Sequence, residues 1–267
     1  MNRIVLILNE KHQKELVGVF QHSYSNYTIK FVNSKEIPSN CREIERNSLW
    51  ICDTDESIKE LKTIYKDSFP MPVIAYSHQD NPGESLIEAP WMILSPDGLT
   101  PDLIEEVKAR YEHLPLTTGE TKRCLLRELS SSDLPFLLQL QEENKKNPGG
   151  CFFPENCAAP DQYLKDYIRH QYYYYGFGLY GVYLKPALTF LGITGFSLTD
   201  IPGADAEVSY ALLKKYQCQG YAREVVTKLL VSTHIHQPDH PVARISPDNQ
   251  ASLKLARELK IPLLLDG

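Results

Sequence analysis

Glu207-Val208-Ser209-Tyr210-Ala211-Leu212, a short loop, and Gln217-Cys218-Gln219-Gly220-Tyr221-Ala222 follow one another in the second half of the chain. The first piece reads as a strand. Beyond the second, Ala222, Val225, Val226, Leu229 and Leu230 fall at i, i+3, i+4, i+7 and i+8, while Arg223, Glu224 and Lys228 take the other side. That is the apolar stripe of a helix lying on a sheet. A strand therefore feeds a loop that feeds a helix N-terminus. The first amides of such a helix have no helical partner and sit at the positive end of its dipole. Both properties favour an anion, and a pyrophosphate suits the turn. Gly220 brings no Cβ into the approach of the backbone to that anion, and Ala222 crowds it little.

Outward from this segment, strands are predicted at 124–129, 179–184, 189–196, 207–212, 242–245 and 262–265. Helices are predicted at 133–142, 159–174, 220–231 and 251–259, with 147–150 as a loop. The first half alternates strands at 3–8, 28–32, 48–52, 73–76 and 91–94 with helices at 11–21, 57–66 and 101–111. Thr100 and Pro101 supply a cap and a first helical residue for the last of these. Short apolar strands alternating with amphipathic helices predict a parallel sheet covered on both faces. Between the halves, 113–121 lacks an apolar period and carries Pro, Gly and Thr. The chain is thus expected to be α/β: a Rossmann- or flavodoxin-like domain over 1–113, a linker over 114–121, and an α+β domain over 122–267.

Composition agrees and excludes. At roughly 100–200 residues per domain, 267 residues predict two domains. A net charge of −6 argues against a broad nucleic-acid-binding face. Ile4–Leu8 is too short to span a bilayer, so no membrane partner and a cytoplasmic location are expected. The six cysteines form no CxxC pair and read as reduced thiols. His234, His236 and His240 stand near Asp239, but the segment joins a helix to a strand, so they read as loop histidines and no metal is expected. Tyr172 to Tyr175, Phe177 and Tyr180 form an aromatic cluster, for which an acceptor wall, core packing and a homodimer surface all fit.

Gln217, Gly220 and Ala222 match the coenzyme A signature of the GNAT superfamily, which is Gln or Arg, two residues, Gly, one residue, then Gly or Ala. Tyr216 and Gly220-Tyr221-Ala222-Arg223-Glu224 resemble its ribosomal-protein and antibiotic acetyltransferase branches. Asn249-Gln250-Ala251-Ser252 resembles the family's Asn-x-x-Ser element, although the residues alone would equally read as a helix cap at Asp248 or Asn249. Thr121 to Leu129 with Asp133 resembles the family's opening strand and first-helix cap.

The resemblance implies a mixed sheet flanked by helices, acetyl-CoA as cosubstrate, and transfer of an acetyl group to an amine by direct attack. It implies cofactor contacts at Leu212, Leu213, Gln217, Cys218, Gln219, Gly220, Tyr221, Ala222, Asn249 and Ser252. Glu207 stands where many relatives carry a catalytic base, and a structural carboxylate or a site for a cationic substrate are its other readings. Two positions depart: Ala256 stands where many relatives have a Tyr that protonates the leaving thiolate, and Lys260-Ile261 replaces a Gly before an aromatic. With the acid missing, a non-catalytic acyl-CoA sensor is the alternative. The acceptor pocket is not encoded in the fold, so a small amine, an aminoglycoside-like compound, a peptide N-terminus and a protein lysine all fit. Arg123 and Arg127 read as ligands for an acidic substrate group or as ordinary strand arginines.

The first half resembles a receiver domain faintly. Asp53 ends a strand, 72–76 resembles the next one, and Leu94-Ser95-Pro96 resembles the last. Ser95 replaces the usual Lys, and Asn9-Glu10 stands where an acidic pair would hold magnesium. A degenerate or unrelated domain serving docking, regulation or recruitment is expected.

Overall fold

A computed structural model describes residues 3–23, 27–32, 48–66, 70–145, 151–232 and 237–265. Cys41, the loop 147–150, His234 and His236 lie outside the described residues. The chain divides into two compact units, Met1–Leu114 and Pro115–Gly267.

The first unit runs β1 (Arg3–Ile7), α1 (Glu10–Ser23), β2 (Thr28–Phe31), β3 (Ser48–Cys52), α2 (Asp55–Ile64), β4 (Val73–Tyr76), β5 (Trp91–Ile93) and α3 (Pro101–Tyr111). Its strands are all parallel, in the order β2-β1-β3-β4-β5, the flavodoxin-like arrangement of a doubly wound sheet. The strands are apolar at nearly every position because both faces are covered. Ile4, Leu6, Leu49, Ile51 and Ile74 pack under α1 and α3 against Leu16, Ile104 and Val107. Val5, Ile7, Trp50, Cys52, Val73 and Ala75 turn the other way, onto Ile58 and Leu61 of α2. Side chains alternate across the pleat, so consecutive residues feed opposite cores.

The second unit runs β6 (Thr117–Glu120), β7 (Cys124–Glu128), α4 (Leu134–Asn144), α5 (Pro160–Tyr175), β8 (Leu179–Leu184), β9 (Thr189–Ser197), β10 (Ala206–Leu212), α6 (Tyr221–Leu229), β11 (Pro241–Ile245), α7 (Gln250–Glu258) and β12 (Leu263–Leu265). Its sheet has the order β12-β11-β10-β9-β8-β7-β6. β6 through β10 are antiparallel neighbours, while β10, β11 and β12 pair in parallel. Cys124, Leu126, Val182, Leu191, Val208 and Leu212 face α6 and α7, where Val225, Val226, Leu229, Leu253 and Ala256 meet them. Leu129, Tyr183, Phe190, Ile193, Ala211 and Leu213 face α4 and α5, meeting Leu137, Leu140 and Leu164.

One expectation is corrected here. Within the expected linker 114–121, Thr117–Glu120 is an edge strand on β7, with a register irregularity between Thr117 and Gly119. Thr-Thr-Gly-Glu carries no apolar alternation because the strand is held by polar links. The Thr118 carbonyl accepts from the Ser232 hydroxyl at 2.6 Å, and the Lys228 stem lies over Gly119. No helix among the described residues is long and apolar enough to cross a membrane.

Candidate functional site

β10 is paired on one edge and mostly open on the other. Toward β9 its register runs unbroken from Glu207↔Ser197 to Leu212↔Gly192. Toward β11 it makes two pairs, Ala206↔Pro241 and Glu207↔Val242, and the strands then part. Residues of an antiparallel ladder alternate between facing the partner strand and facing away. Leu213 donates its N–H to Leu191 O at 2.9 Å. By that alternation Ser209 and Ala211 also face β9, while Tyr210 and Leu212 turn their backbone groups to the open edge. Leu213, expected as a backbone contact for the cofactor, has its amide in the ladder to β9 and its side chain buried. Tyr210, two residues before Leu212, turns its backbone to the same open edge as Leu212.

The loop after β10 is shaped by its own polar groups. Gln217 Nε2 turns back to donate to Leu212 O at 2.8 Å, closing the chain over the strand end. Gln219 Nε2 donates to Lys215 O at 2.7 Å. Cys218 and Gly220 have φ values of 58° and 80°, and the loop enters α6 through Gly220 as N-cap, with no side chain capping the helix. The first amides of α6 thus have no side-chain cap among the described residues, and the dipole stands behind them. A Cβ on Gly220 would meet only Arg123 Nη2, at 3.5 Å. The glycine is required by its left-handed backbone rather than by crowding within the protein.

Arg123, at the entry to β7, holds this corner together. Its Nε donates to Glu224 at 2.7 Å, its Nη1 donates to Gln219 O at 3.1 Å, and its guanidinium lies 4.1 Å from the Tyr221 ring centroid. The hydrogen bond to Glu224 raises the already high pKa of the guanidinium. Tyr221 is buried and Ala222 half-buried on α6.

The second motif arrives on the same side of the sheet. Asn249 Oδ1 accepts from Ser252 N–H at 3.1 Å, so Asn249 caps α7. Ser252 lies beside Tyr210 of β10. Burial raises the Tyr210 pKa, and hydrogen bonding with Ser252 partly offsets this. Among the described residues, no regular hydrogen bond reaches the buried Tyr210 hydroxyl. Ala256 is sealed in the core.

Glu207 sits where β10 and β11 begin to part. Its Oε1 accepts from the Thr199 hydroxyl at 2.9 Å and lies 3.1 Å from Arg244 Nη2. Both contacts fall on Oε1, and no hydrogen bond to Oε2 is found among the described residues. Arg244 also bonds Asp200, whose pKa this hydrogen bond depresses.

Other expected residues have structural duties. Arg127 lies over Tyr183, donates to its hydroxyl at 2.7 Å and pairs with Asp133. Beside it a cavity of about 470 Å³ opens between β7, α4 and Leu213. It lies at the far end of β10 from Glu207. Of the aromatic cluster, Tyr172, Phe177 and Tyr180 are core, Tyr172 stacking on Tyr180, while Tyr174 and Tyr175 are exposed. His240 pairs with Asp205 at the surface.

A mixed sheet parts here beside an uncapped, glycine-entered helix, an arrangement suited to an extended, phosphate-bearing ligand. The GNAT acetyltransferase domain matches residues 123–261, and the chain belongs to that family. Acetyl-CoA is the acyl donor of the family, and the open β10 edge, the bare α6 amides and the left-handed Gly220 fit it. No curated protein matches. Among solved structures, an acetyltransferase from Agrobacterium tumefaciens is 20% identical over 54% of this chain and 82% of its own, with a TM-score of 0.40. An acetyltransferase from Salmonella typhimurium that modifies the N-terminal serine of ribosomal protein L7/L12 is 21% identical over 54% and 83%, with a TM-score of 0.42. A ribosomal-protein-S5-alanine acetyltransferase from Vibrio fischeri is 20% identical over 53% and 80%, with a TM-score of 0.39.

Proposed function

We propose that residues 122–267 are an N-acetyltransferase that moves the acetyl group of acetyl-CoA to an amine of a small molecule or peptide by direct attack. The observation that carries this reading is the single open edge of β10. It begins at Glu207, where the ladder to β11 ends, and finishes at the uncapped α6. At about 3.3 Å per residue, Glu207 and Leu212 are roughly 17 Å apart along the strand. The edge therefore offers backbone groups for an extended arm between a phosphate-binding end and a carboxylate end.

Acetyl-CoA supplies the activated acyl group. The amides of 220–222 hold its phosphates, with Gln217, Cys218 and Gln219 shaping the loop around them. Tyr210 presents its N–H and C=O and Leu212 its N–H to the arm, and Asn249 and Ser252 flank the same gap. Glu207 accepts the amine proton on Oε2 while Thr199 and Arg244 hold Oε1. A positioned base of this kind contributes typically 10²–10⁴-fold. We place the enzyme in the cytoplasm, in keeping with five described cysteines that are all free.

Ala256 favours a second reading, a sensor that binds acyl-CoA without turning it over. Calorimetry with acetyl-CoA and a panel of amine acceptors separates the two. Binding with turnover of at least one amine, reduced about 10²–10⁴-fold in Glu207→Gln at unchanged affinity, is expected. Tight binding with no turnover of any amine selects the sensor, and absence of binding ends both readings.

A further inference from the structure

The first unit carries a cluster of titratable side chains that acyl transfer does not use. It lies at the carboxyl ends of its central strands. His12 is in the first turn of α1, just after β1, its N–H donating to Asn9 Oδ1 at 3.1 Å. Asp53 follows β3, and His78 and Asp80 follow β4. Asn81 ties these ends together, donating to Asp53 O at 2.8 Å and accepting from His78 N–H at 2.8 Å. In open sheets of this winding, ligands bind outside the carboxyl ends of the strands where the strand order reverses. Here that is between β1 and β3.

Both ring nitrogens of His12 face carboxylates: Nδ1 lies 2.7 Å from Glu15 and Nε2 lies 3.1 Å from Asp80. A neutral imidazole has one N–H, so one of these contacts sets a lone pair against a carboxylate oxygen. A cation lying between His12 Nε2 and Asp80 would satisfy both atoms at once. His78 lies with its centroid 3.6 Å from that of His12, and its own Nε2 lies 3.0 Å from Asp53. His12 and the His78 side chain are nearly solvent-free. Among the described residues, the carboxylates of Glu15, Asp53 and Asp80 stand around them with one ammonium, that of Lys11, which reaches Asp80 at 2.6 Å. Among these described groups, three carboxylates against one ammonium leave two negative charges, the amount a divalent cation neutralises.

We propose that this cluster is a divalent transition-metal site, of the zinc class, ligated by His12 Nε2, Asp80 and His78 Nδ1, which exchanges the Asp80 N–H it accepts at 3.2 Å for the metal while Nε2 stays on Asp53. Ligand atoms of these three lie within 4.8 Å of one another. Imidazole ligands select zinc and its neighbours over magnesium or calcium. The His12–Asp80 separation of 3.1 Å is close to the edge of a tetrahedron with bonds of about 2.0–2.1 Å. Glu15 on His12 Nδ1 is the outer carboxylate that orients a metal-binding histidine. Lys11, exposed along its length, yields Asp80 to the metal.

The test uses the full chain, stripped with a chelator and titrated with zinc against a chromophoric competitor. One zinc per chain is expected. Cobalt in its place should show tetrahedral bands without a thiolate charge-transfer band. His12→Gln and His78→Gln should abolish this binding, and Glu15→Gln should weaken it about 10–100-fold. Asp80 is half-exposed, so Asp80→Asn tests the site without disturbing the core, and acetyl-CoA affinity should be the same in every variant. No stoichiometric zinc, or zinc binding unchanged in Asp80→Asn and Glu15→Gln, overturns the proposal. So does an imidazolium at His12, seen by nitrogen NMR, that persists when zinc is added.

Discussion

The loop 217–222 and the cluster around His12 and His78 stand at equivalent places, where strands hand over to helices, and they are built from opposite materials. The loop is contiguous and presents backbone: two left-handed residues, an uncapped helix and an arginine that holds the corner. The cluster is discontinuous and presents side chains, drawn from the ends of β1, β3 and β4. A site made of backbone depends on conformation and responds little to pH. A site made of imidazoles and carboxylates depends on charge. Single substitutions and acid should separate the two.

On acetyl-CoA affinity the largest effect is expected at Gly220. A β-branched residue held at its φ of 80° costs on the order of 1–3 kcal/mol. If that cost falls on the binding-competent loop, Gly220→Val weakens acetyl-CoA roughly 5–150-fold at 1.4 kcal/mol per factor of ten. Asn tolerates the left-handed region better than Ala or Val. Affinity measured by calorimetry should therefore fall in the order Gly, Asn, Ala, Val. Equal loss in all three variants would assign the glycine instead to close approach of the ligand, since the protein itself leaves room for a Cβ.

The same contrast governs what was legible beforehand. Strand and helix order in both units could be read because periodic burial writes itself along the chain, and the bounds of β3, β4, β8 and α3 agree with it to the residue. α2 starts two residues earlier than its apolar pattern because Thr54 caps it, accepting from Ser57 N–H. β6 resembles a linker in the sequence because it carries no apolar alternation. In the acyl site, the loop could be read as a short pattern, but the alternation of β10 decides that Tyr210 rather than Leu213 faces the open edge. His12 and His78 are brought together by the parallel winding, and no spacing in the sequence marks them as partners.

Acid should separate the two regions next. Asp55, two residues beyond Asp53, accepts from the amides of Ser85 and Leu86 at 3.0 and 2.7 Å. These bonds, Ser85 first, hold its pKa below the ordinary carboxylate value. A group depressed in the folded state contributes stability above its unfolded pKa of about 3.9, and loses it as pH falls through the folded value. Asp55→Asn should therefore be less stable than the wild type at neutral pH, with the gap closing below about pH 4. Chemical denaturation at a series of pH values measures this. A gap that stays constant into acid would mean that Asp55 acts through packing rather than charge.

The smallest effect is expected where the open edge carries a polar group with nothing to bind. The Tyr210 hydroxyl is buried without a regular hydrogen bond among the described residues, and its ring packs against the α6 and α7 core. Removing a buried hydroxyl that lacks a partner recovers its desolvation cost and loses little. Tyr210→Phe should leave stability unchanged or raise it, by no more than about 1 kcal/mol. Loss of more than that in the free protein would show that the contact with Ser252 is a full hydrogen bond linking β10 to α7. Stability that holds while acetyl-CoA affinity falls would locate the partner of this hydroxyl in the ligand, and with it the reason a polar atom is kept in an otherwise apolar wall.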